Sequence, residues 1–559
     1  MFGGLIPLAI LGLIIYAIVK ATRGRTAAGV GDSVVSFRRL FEYALLLAAL
    51  IVAASGLSGI LARVIGGAAA RRDTELAASL AMVSVGVPVF WGFGVIMWRR
   101  LAAATEQRSA AWSLYLNITL IGSVSFGAGY ALSFTNELID GDGYDGARLA
   151  PFVVACAVWM AHWIAWRLRP PTLAPLGHVY VGAAVGLVLA AIGGGWTLSI
   201  GIDRAFDSTV VARSGGGDDL ARALAMFGIG GVIWSWHWLG NAIGARRDYG
   251  WHAYVLLVGV FGGVATAVTG AAFGIYLVLE WVFGDPGSVS AARHFEDLAP
   301  TCAAAVVGTA LWLYHRAVLG LDPSRRRTEV DRIYDHIVAG VALVTMAVSL
   351  TILVVAVFEA LGDGVAARDD ASGVNRVLGA VTGLVVGAPI WLLGWGRALR
   401  AVRQRGEEEA TSPTRRIYLL GVFGIGGAIA FGALIRLLVV VYENIFDEGR
   451  SSVGQGLRVP VALLVTVGTI AAYHWWVYRA ERVEGRQRRD ILLVWPAAAL
   501  LPDLSERANL RINVLRSTGG DGSVPGAADI LALIDATPGE HLLVVAGPEG
   551  AEALPLESG

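Results

Sequence analysis

Apolar residues in this chain do not alternate with polar ones at the period of a surface helix or strand. They run in blocks of about twenty, cut by short polar links. A helix crossing ~30 Å of hydrocarbon at ~1.5 Å per residue needs ~20 mostly apolar residues. Thirteen blocks meet that length: Phe2 to Val19, then 37–65, 76–98, 112–139, 149–167, 178–202, 220–243, 252–283, 298–317, 333–361, 374–396, 416–446 and 455–478. The pattern predicts an all-α polytopic membrane protein of thirteen transmembrane helices, followed from about residue 486 by a tail of different character.

The first block is followed by Lys20, Arg23 and Arg25 and by no small-residue cleavage site, so it reads as an uncleaved anchor with the N-terminus outside. Thirteen crossings then place the C-terminus in the cytoplasm. The basic residues test this separately, because cytoplasmic links carry the excess of Lys and Arg. Links assigned inside hold 28 of them and links assigned outside hold 11, which supports the orientation. Outer links such as Asp140-Gly-Asp-Gly-Tyr-Asp145 are short solvated turns.

Self-similarity divides the membrane part further. Six tandem hairpins each open near an aromatic residue: Phe41, Tyr115, Tyr180, Tyr254, Tyr334 and Tyr418. Five of the second helices close on a box: Trp159-x-x-His162-Trp163, Trp234-x-x-His237-Trp238, Trp312-x-x-His315-Arg316, Trp391-x-x-Gly394-Trp395 and Ala471-x-x-His474-Trp475. The first hairpin keeps only a degenerate version around Phe90 to Gly94. A two-span unit returns the chain to its starting side, so the six hairpins are parallel repeats. The expected divisions are an anchor at 1–33, hairpins at 34–110, 111–174, 175–248, 249–328, 329–411 and 412–485, and a cytoplasmic α/β tail at 486–559. Gly, at 72 of 559 residues, is nearly twice its usual share. Gly182/Gly186, Gly259/Gly263 and Gly270/Gly274 are therefore expected at helix contacts, where small residues let backbones approach.

Hairpins that begin Arg416-Ile-Tyr418 or Arg332-Ile-Tyr334 and close with Pro389-Ile-Trp391-Leu-Leu-Gly-Trp395 resemble the prokaryotic membrane family called domain of unknown function 5671. Over roughly residues 34–485 the resemblance implies a membrane location and about three copies of a four-helix unit. It implies no particular activity.

Composition narrows the function classes. With 56% hydrophobic and 16% charged residues the chain is not soluble, and 44 basic against 44 acidic residues give no pull toward nucleic acid. Cys156 and Cys302 lie inside spans, which excludes a disulfide framework. No Asp or Glu falls in the middle third of any span, which argues against a proton-coupled carrier. Arg436 is the one basic residue well inside a span, and its stem can snorkel outward.

Two constellations remain. At the outer ends, acidic and basic residues face each other across each hairpin: Glu137 with Arg148, Asp203 with Arg222, Glu280 with Arg293, Glu359 with Arg376, Glu443 with Arg458 and, with signs exchanged, Arg63 with Glu75. These are expected to be ion pairs that fix hairpin geometry. At the other end, His162, His237, His315 and His474 share one repeat position. They are structural, bonded to a neighbouring Tyr hydroxyl or a helix-end carbonyl within an aromatic belt that includes Trp159, Trp234, Trp312 and Trp391, or convergent ligands for a metal or haem, or stations for proton or ligand traffic. No cofactor is assigned.

In the tail, 491–495, 511–515 and 541–546 read as strands, and 497–509 and 527–536 as helices. The tail carries no nucleophile-base pair, CxxC or Walker motif, and Gly547-Pro-Glu-Gly550 reads as a turn. These observations favour a plasma-membrane scaffold or sensor in contact with the lipid bilayer, with a protein partner or self-association through the tail. A transporter or channel and a metal- or haem-binding protein stand as alternatives.

Overall fold

Within a bilayer every backbone N–H must be bonded inside the protein, and a single apolar block of about twenty residues does so as a helix. The computed structural model describes residues 30–66, 73–141, 146–206, 217–287, 290–321, 327–362, 371–446, 453–481, 489–496, 504, 510–517, 524–539, 541–547 and 550–556. The expected anchor at Phe2 to Val19 lies outside the described residues. The helices are α1 (Val30–Gly66), α2 (Asp73–Arg100), α3 (Ala110–Asp140), α4 (Gly146–Leu168), α5 (Gly177–Phe206), α6 (Gly217–Trp234), α7 (Tyr249–Phe283), α8 (Leu298–Leu319), α9 (Glu329–Gly362), α10 (Ala371–Arg405), α11 (Pro413–Phe446) and α12 (Val453–Ala480). Among the described residues, eleven helical segments are long and apolar enough to cross a membrane. The expected span at 220–243 is not one of the eleven. Its regular part, α6, has eighteen residues with Asp218 and Asp219 in the first turn, and it continues as a wider π-type segment, Ser235–Ala242. A second π-type segment, Tyr254–Phe261, lies within α7.

Local chemistry sets several helix ends. The Ser109 side chain accepts from the Trp112 N–H at 3.2 Å and caps α3, and Asp248 accepts from the Trp251 N–H at 2.8 Å at the start of α7. Gly141 and Gly320 end α3 and α8 with φ of 72° and 63°, the left-handed conformation that costs a glycine nothing.

Sequential helices pack together: α1 with α2, α3 with α4, α5 with α6, and α7 with α8. Gly394 of α10 lies against Asp335 and Ala339 of α9, and Gly456 of α12 lies against Val440 of α11. Lateral contacts join α1 to α4, α3 to α6, α5 to α8 and α7 to α9.

The chain forms two compact units, residues 1–399 with 428–468, and residues 400–427 with 469–559. The core of the first is rich in rings, with Tyr43, Trp112, Tyr115, Trp163, Trp238, Trp251, Tyr254 and Tyr334 all buried. The second holds the start of α11, the end of α12 and a four-stranded sheet. Its strands are β1 (Arg489–Pro496), β2 (Leu510–Ser517), β3 (His541–Gly547) and β4 (Gly550–Leu556), in the order β2-β1-β3-β4. β1 runs parallel to β2 and β3, and β4 runs antiparallel to β3. Alternate residues Ile491, Leu493 and Trp495 of β1 point into a core shared with Leu542 and Val544 and with Ile530 and Ile534 of α13 (Ala527–Ala536). The expected strands fall on β1, β2 and β3, and the expected helix at 527–536 on α13. The helix expected at 497–509 lies outside the described residues except for Leu504. β4 was not expected. It has no β-branched residue and carries Pro555, a composition tolerated on an edge strand, and Gly547 pairs with Gly550 across the turn.

Candidate functional site

The four equivalent histidines sit on the second helix of their pairs, α4, α6, α8 and α12. Each places Nδ1 2.8 Å from the carbonyl four residues earlier: Val158, Ile233, Leu311 and Ile470. A carbonyl only accepts, so Nδ1 carries the proton and Nε2 presents its lone pair away from the helix. In the α3–α4 pair the Tyr115 hydroxyl donates to His162 Nε2 at 2.8 Å. His237 rests on Gly182 of α5, where a Cβ would lie 2.5 Å from its ring, and His315 rests in the same way on Gly259 of α7. His474 stacks edge-on against Tyr418, with ring centroids 5.8 Å apart. Each imidazole is thus placed against the first helix of its own pair. Among the described residues no group of three or more His, Cys, Asp or Glu side chains is placed to hold a metal ion.

The tryptophans reach the next pair. Trp234 Nε1 donates to the Tyr254 hydroxyl at 2.9 Å, and Trp312 Nε1 to the Tyr334 hydroxyl at 3.0 Å. Trp238 Nε1 donates to the Tyr314 hydroxyl at 2.9 Å while its ring lies 6.2 Å from His315. Trp163 stands in the same relation to His237, at 5.8 Å, and Trp159 packs on Trp163 at 4.9 Å. Trp391 stacks on Trp395 at 6.3 Å. Two of the opening aromatics behave differently. Tyr180 donates to Asp248 Oδ1 at 3.1 Å, and Phe41 is 65% exposed. Tyr43, two residues after Phe41, takes the core position instead, 5.6 Å from Tyr115.

Glycine registers the repeats. Gly182, Gly186 and Gly193 of α5 recur 77 residues later as Gly259, Gly263 and Gly270 of α7, and each stands where a Cβ would strike the partner helix. Gly274 is looser, 3.4 Å from Thr301 by the same measure.

At the opposite ends of the helices, Arg148 lies 3.6 Å from Glu137 and Arg376 lies 2.6 Å from Glu359. Arg458 also approaches Glu359, at 3.3 Å, so one carboxylate holds two guanidinium groups. Glu443 is 3.9 Å from Arg436. Arg222 binds Asp140 of α3 and, at 3.1 Å, Asp219 of its own helix, instead of reaching Asp203 near the end of α5. Glu280 accepts from the Tyr276 hydroxyl at 2.6 Å, and Arg293 lies in the short helical turn that leads into α8. Arg63 and Glu75 stand at the facing ends of α1 and α2.

Sequence reasoning missed several buried polar groups at the box end. Asp335 lies between Arg327 at 2.7 Å and Arg397 at 3.0 Å, and Arg39 holds the buried Glu106 at 2.8 Å. Arg415 grips Glu481 with two bonds of 2.6 Å. Asn117 Oδ1 accepts from the His178 N–H at 2.6 Å, and the His178 ring stands edge-on to Trp163 and Trp166. Only Asn117, a lone amide in an apolar block, was visible beforehand as a signal.

Several cavities lie among the described helices. One of about 750 Å³ between α1, α2, α3 and α4 carries the hydroxyls of Ser55, Ser58, Ser79, Thr119 and Ser123. Two apolar ones, of about 470 and 520 Å³, lie between α5, α7 and α8 and between α3, α4 and α6.

A family model described as domain of unknown function (DUF5671) matches residues 39–143, 178–284, 252–371 and 332–469. These overlapping matches begin two residues before Phe41, Tyr180, Tyr254 and Tyr334, so the repeated units start at the aromatics. No curated protein and no solved structure matches the chain.

Proposed function

The chain belongs to the DUF5671 family of integral membrane proteins with repeated units, and from that premise we propose that it is a membrane scaffold or sensor that supports protein contacts or signalling through its C-terminal α/β tail. In this reading an outer anchor and six parallel hairpins lie in the plasma membrane. The N-terminus is outside, the His and Trp boxes lie at the inner headgroups, and the tail is cytoplasmic, where a protein partner or a second copy docks on it. The observation that carries the reading is the use made of the four repeat histidines. Each bonds the carbonyl four residues earlier on its own helix and packs on the first helix of its own hairpin, as a structural residue does. The outer ion pairs then set the hairpin geometry.

Single-cysteine accessibility labelling in cells tests the topology: Tyr334→Cys and His474→Cys should both label only from the cytoplasmic side. Labelling on opposite sides would defeat the parallel arrangement. Affinity capture with and without residues 486–559 tests the tail, since a scaffold must lose its partner on truncation.

The hydroxyl-lined cavity of about 750 Å³ favours a second reading, a transporter or channel. Solute flux in proteoliposomes that is abolished by Ser123→Leu would establish it over the first.

A further inference from the structure

We infer that the cleft between α4 and α6 binds one phospholipid with an anionic headgroup, its acyl chain lying in the apolar groove and its phosphate at Arg167. The groove has a volume of about 520 Å³; Val124, Gly127 and Ala131 of α3 line it between Phe152 and Met160 of α4 and Val232 of α6. Its rim is open, with Val232 72% and Met160 52% exposed, and in a bilayer such a rim faces acyl chains. At one end the groove closes on Trp159 and His237.

Beyond that end the two helices continue as facing ladders of fourth residues, Trp159, Trp163 and Arg167 on one and Ile233, His237 and Asn241 on the other. Arg167 Nη2 bonds Asn241 Oδ1 at 2.8 Å, which ties the ladders together at the polar end. Its guanidinium lies 5.7 and 4.9 Å from the ring centroids of Trp163 and Trp166, and these rings hold it in place. Among the described residues no carboxylate pairs with it, so its remaining N–H donors and its charge are open to a ligand at the surface.

The dimensions agree with one lipid. Phe152 to Arg167 is fifteen helical residues, about 22 Å at ~1.5 Å each, and one leaflet including its headgroup layer is ~20–22 Å deep. An apolar groove along Phe152 to Met160, with an unneutralised guanidinium farther along the same helix, complements a molecule that is hydrocarbon for most of its length and anionic at one tip. The negative ends of the two helices oppose an anion there. A full charge at hydrogen-bond distance outweighs those partial charges.

The test is native mass spectrometry of the full-length protein purified in detergent and offered equal amounts of phosphatidylglycerol and phosphatidylcholine. The wild type should retain phosphatidylglycerol preferentially. Arg167→Gln should weaken that retention by about tenfold, the scale of one charge-assisted hydrogen bond, and weaken phosphatidylcholine less, because its choline already offsets the phosphate charge. Val232→Trp, which fills the groove, should reduce both lipids, and Arg246→Gln, an exposed charge on the following loop, should change neither. Should Arg167→Gln fail to fold, Arg167→Lys serves in its place and should keep the anionic preference. Equal retention of the two lipids by the wild type, unchanged phosphatidylglycerol in Arg167→Gln, or an equal loss in Arg246→Gln would each overturn the assignment. Competition by glycerol phosphate at the same concentration would also overturn it, because the acyl chain would then contribute nothing.

Discussion

Gly230 and Gly231 are neighbours on α6 with opposite surroundings, and replacing each by Ala should move stability in opposite directions. A Cβ on Gly230 would stand 2.7 Å from the Leu189 Cβ and 2.8 Å from the Gly186 carbonyl oxygen, with the Ala190 backbone nitrogen closer still. Two of those three atoms belong to backbone and cannot swing aside, so α5 and α6 must separate by several tenths of an ångström. Separation spreads the loss of van der Waals contact over the whole crossing, and overpacking of this kind costs ~1–3 kcal/mol. The better helix propensity of Ala returns at most ~1 kcal/mol, so Gly230→Ala should come out less stable by up to about 2 kcal/mol. A Cβ on Gly231 meets nothing within 4 Å, so Gly231→Ala keeps only the propensity term and should be neutral or better by up to ~1 kcal/mol. The assay is the temperature at which half of the detergent-solubilised protein is lost from the monodisperse peak on size exclusion. Gly230→Ala should lie below the wild type and Gly231→Ala at or above it. If Gly230→Ala melts at or above the wild type, or the two variants fall together, the close-approach reasoning is wrong.

Two further outcomes follow from the polar contacts and use the same melting assay. Tyr254→Phe strands the Trp234 Nε1–H without its acceptor and should cost about 1–3 kcal/mol, whereas adding Trp234→Phe to it should cost less than the sum of the two single changes, because the donor is then gone as well. Glu359→Gln should destabilise more than Glu443→Gln: the first carboxylate faces Arg376 and Arg458 at 2.6 and 3.3 Å, while the second forms an exposed pair at 3.9 Å of the kind worth ~0–1 kcal/mol.

What could be read from the sequence was set by lipid or by repetition. Block length fixed where the helices are, because hydrocarbon allows no other backbone solution, and the glycine spacing pointed to crossings that the structure places at Gly186, Gly263 and Gly270. The aromatic starts were visible because they recur. Choices between close alternatives were not visible. Phe41 and Tyr43 both lie at the start of α1, and only packing against Trp112 and Tyr115 selects Tyr43 for the core. Arg222 has a carboxylate within reach on its own helix and another on α3, and a linear pattern that pairs residues across one loop has no means of including α3. The π-type segments leave no compositional mark, and β4 lacks the residues by which strands are recognised.

The two ends of the helix pairs are therefore held by different physics. At the box end the repeated ties are neutral, set beside buried ion pairs such as Asp335 with Arg327 and Arg397. An imidazole is wedged onto a glycine within each of two pairs, and a Trp N–H reaches the Tyr hydroxyl of the next pair. Removing either member of such a tie leaves a polar atom stranded in an apolar setting. At the other end the ties are ion pairs between partly exposed side chains, which water and salt weaken and which can change partner at little cost, as Glu359 does in holding two guanidinium groups. Successive pairs are thus fastened at one end and adjustable at the other. Within the second compact unit the start of α11 and the end of α12 meet instead through an edge-on ring contact between Tyr418 and His474.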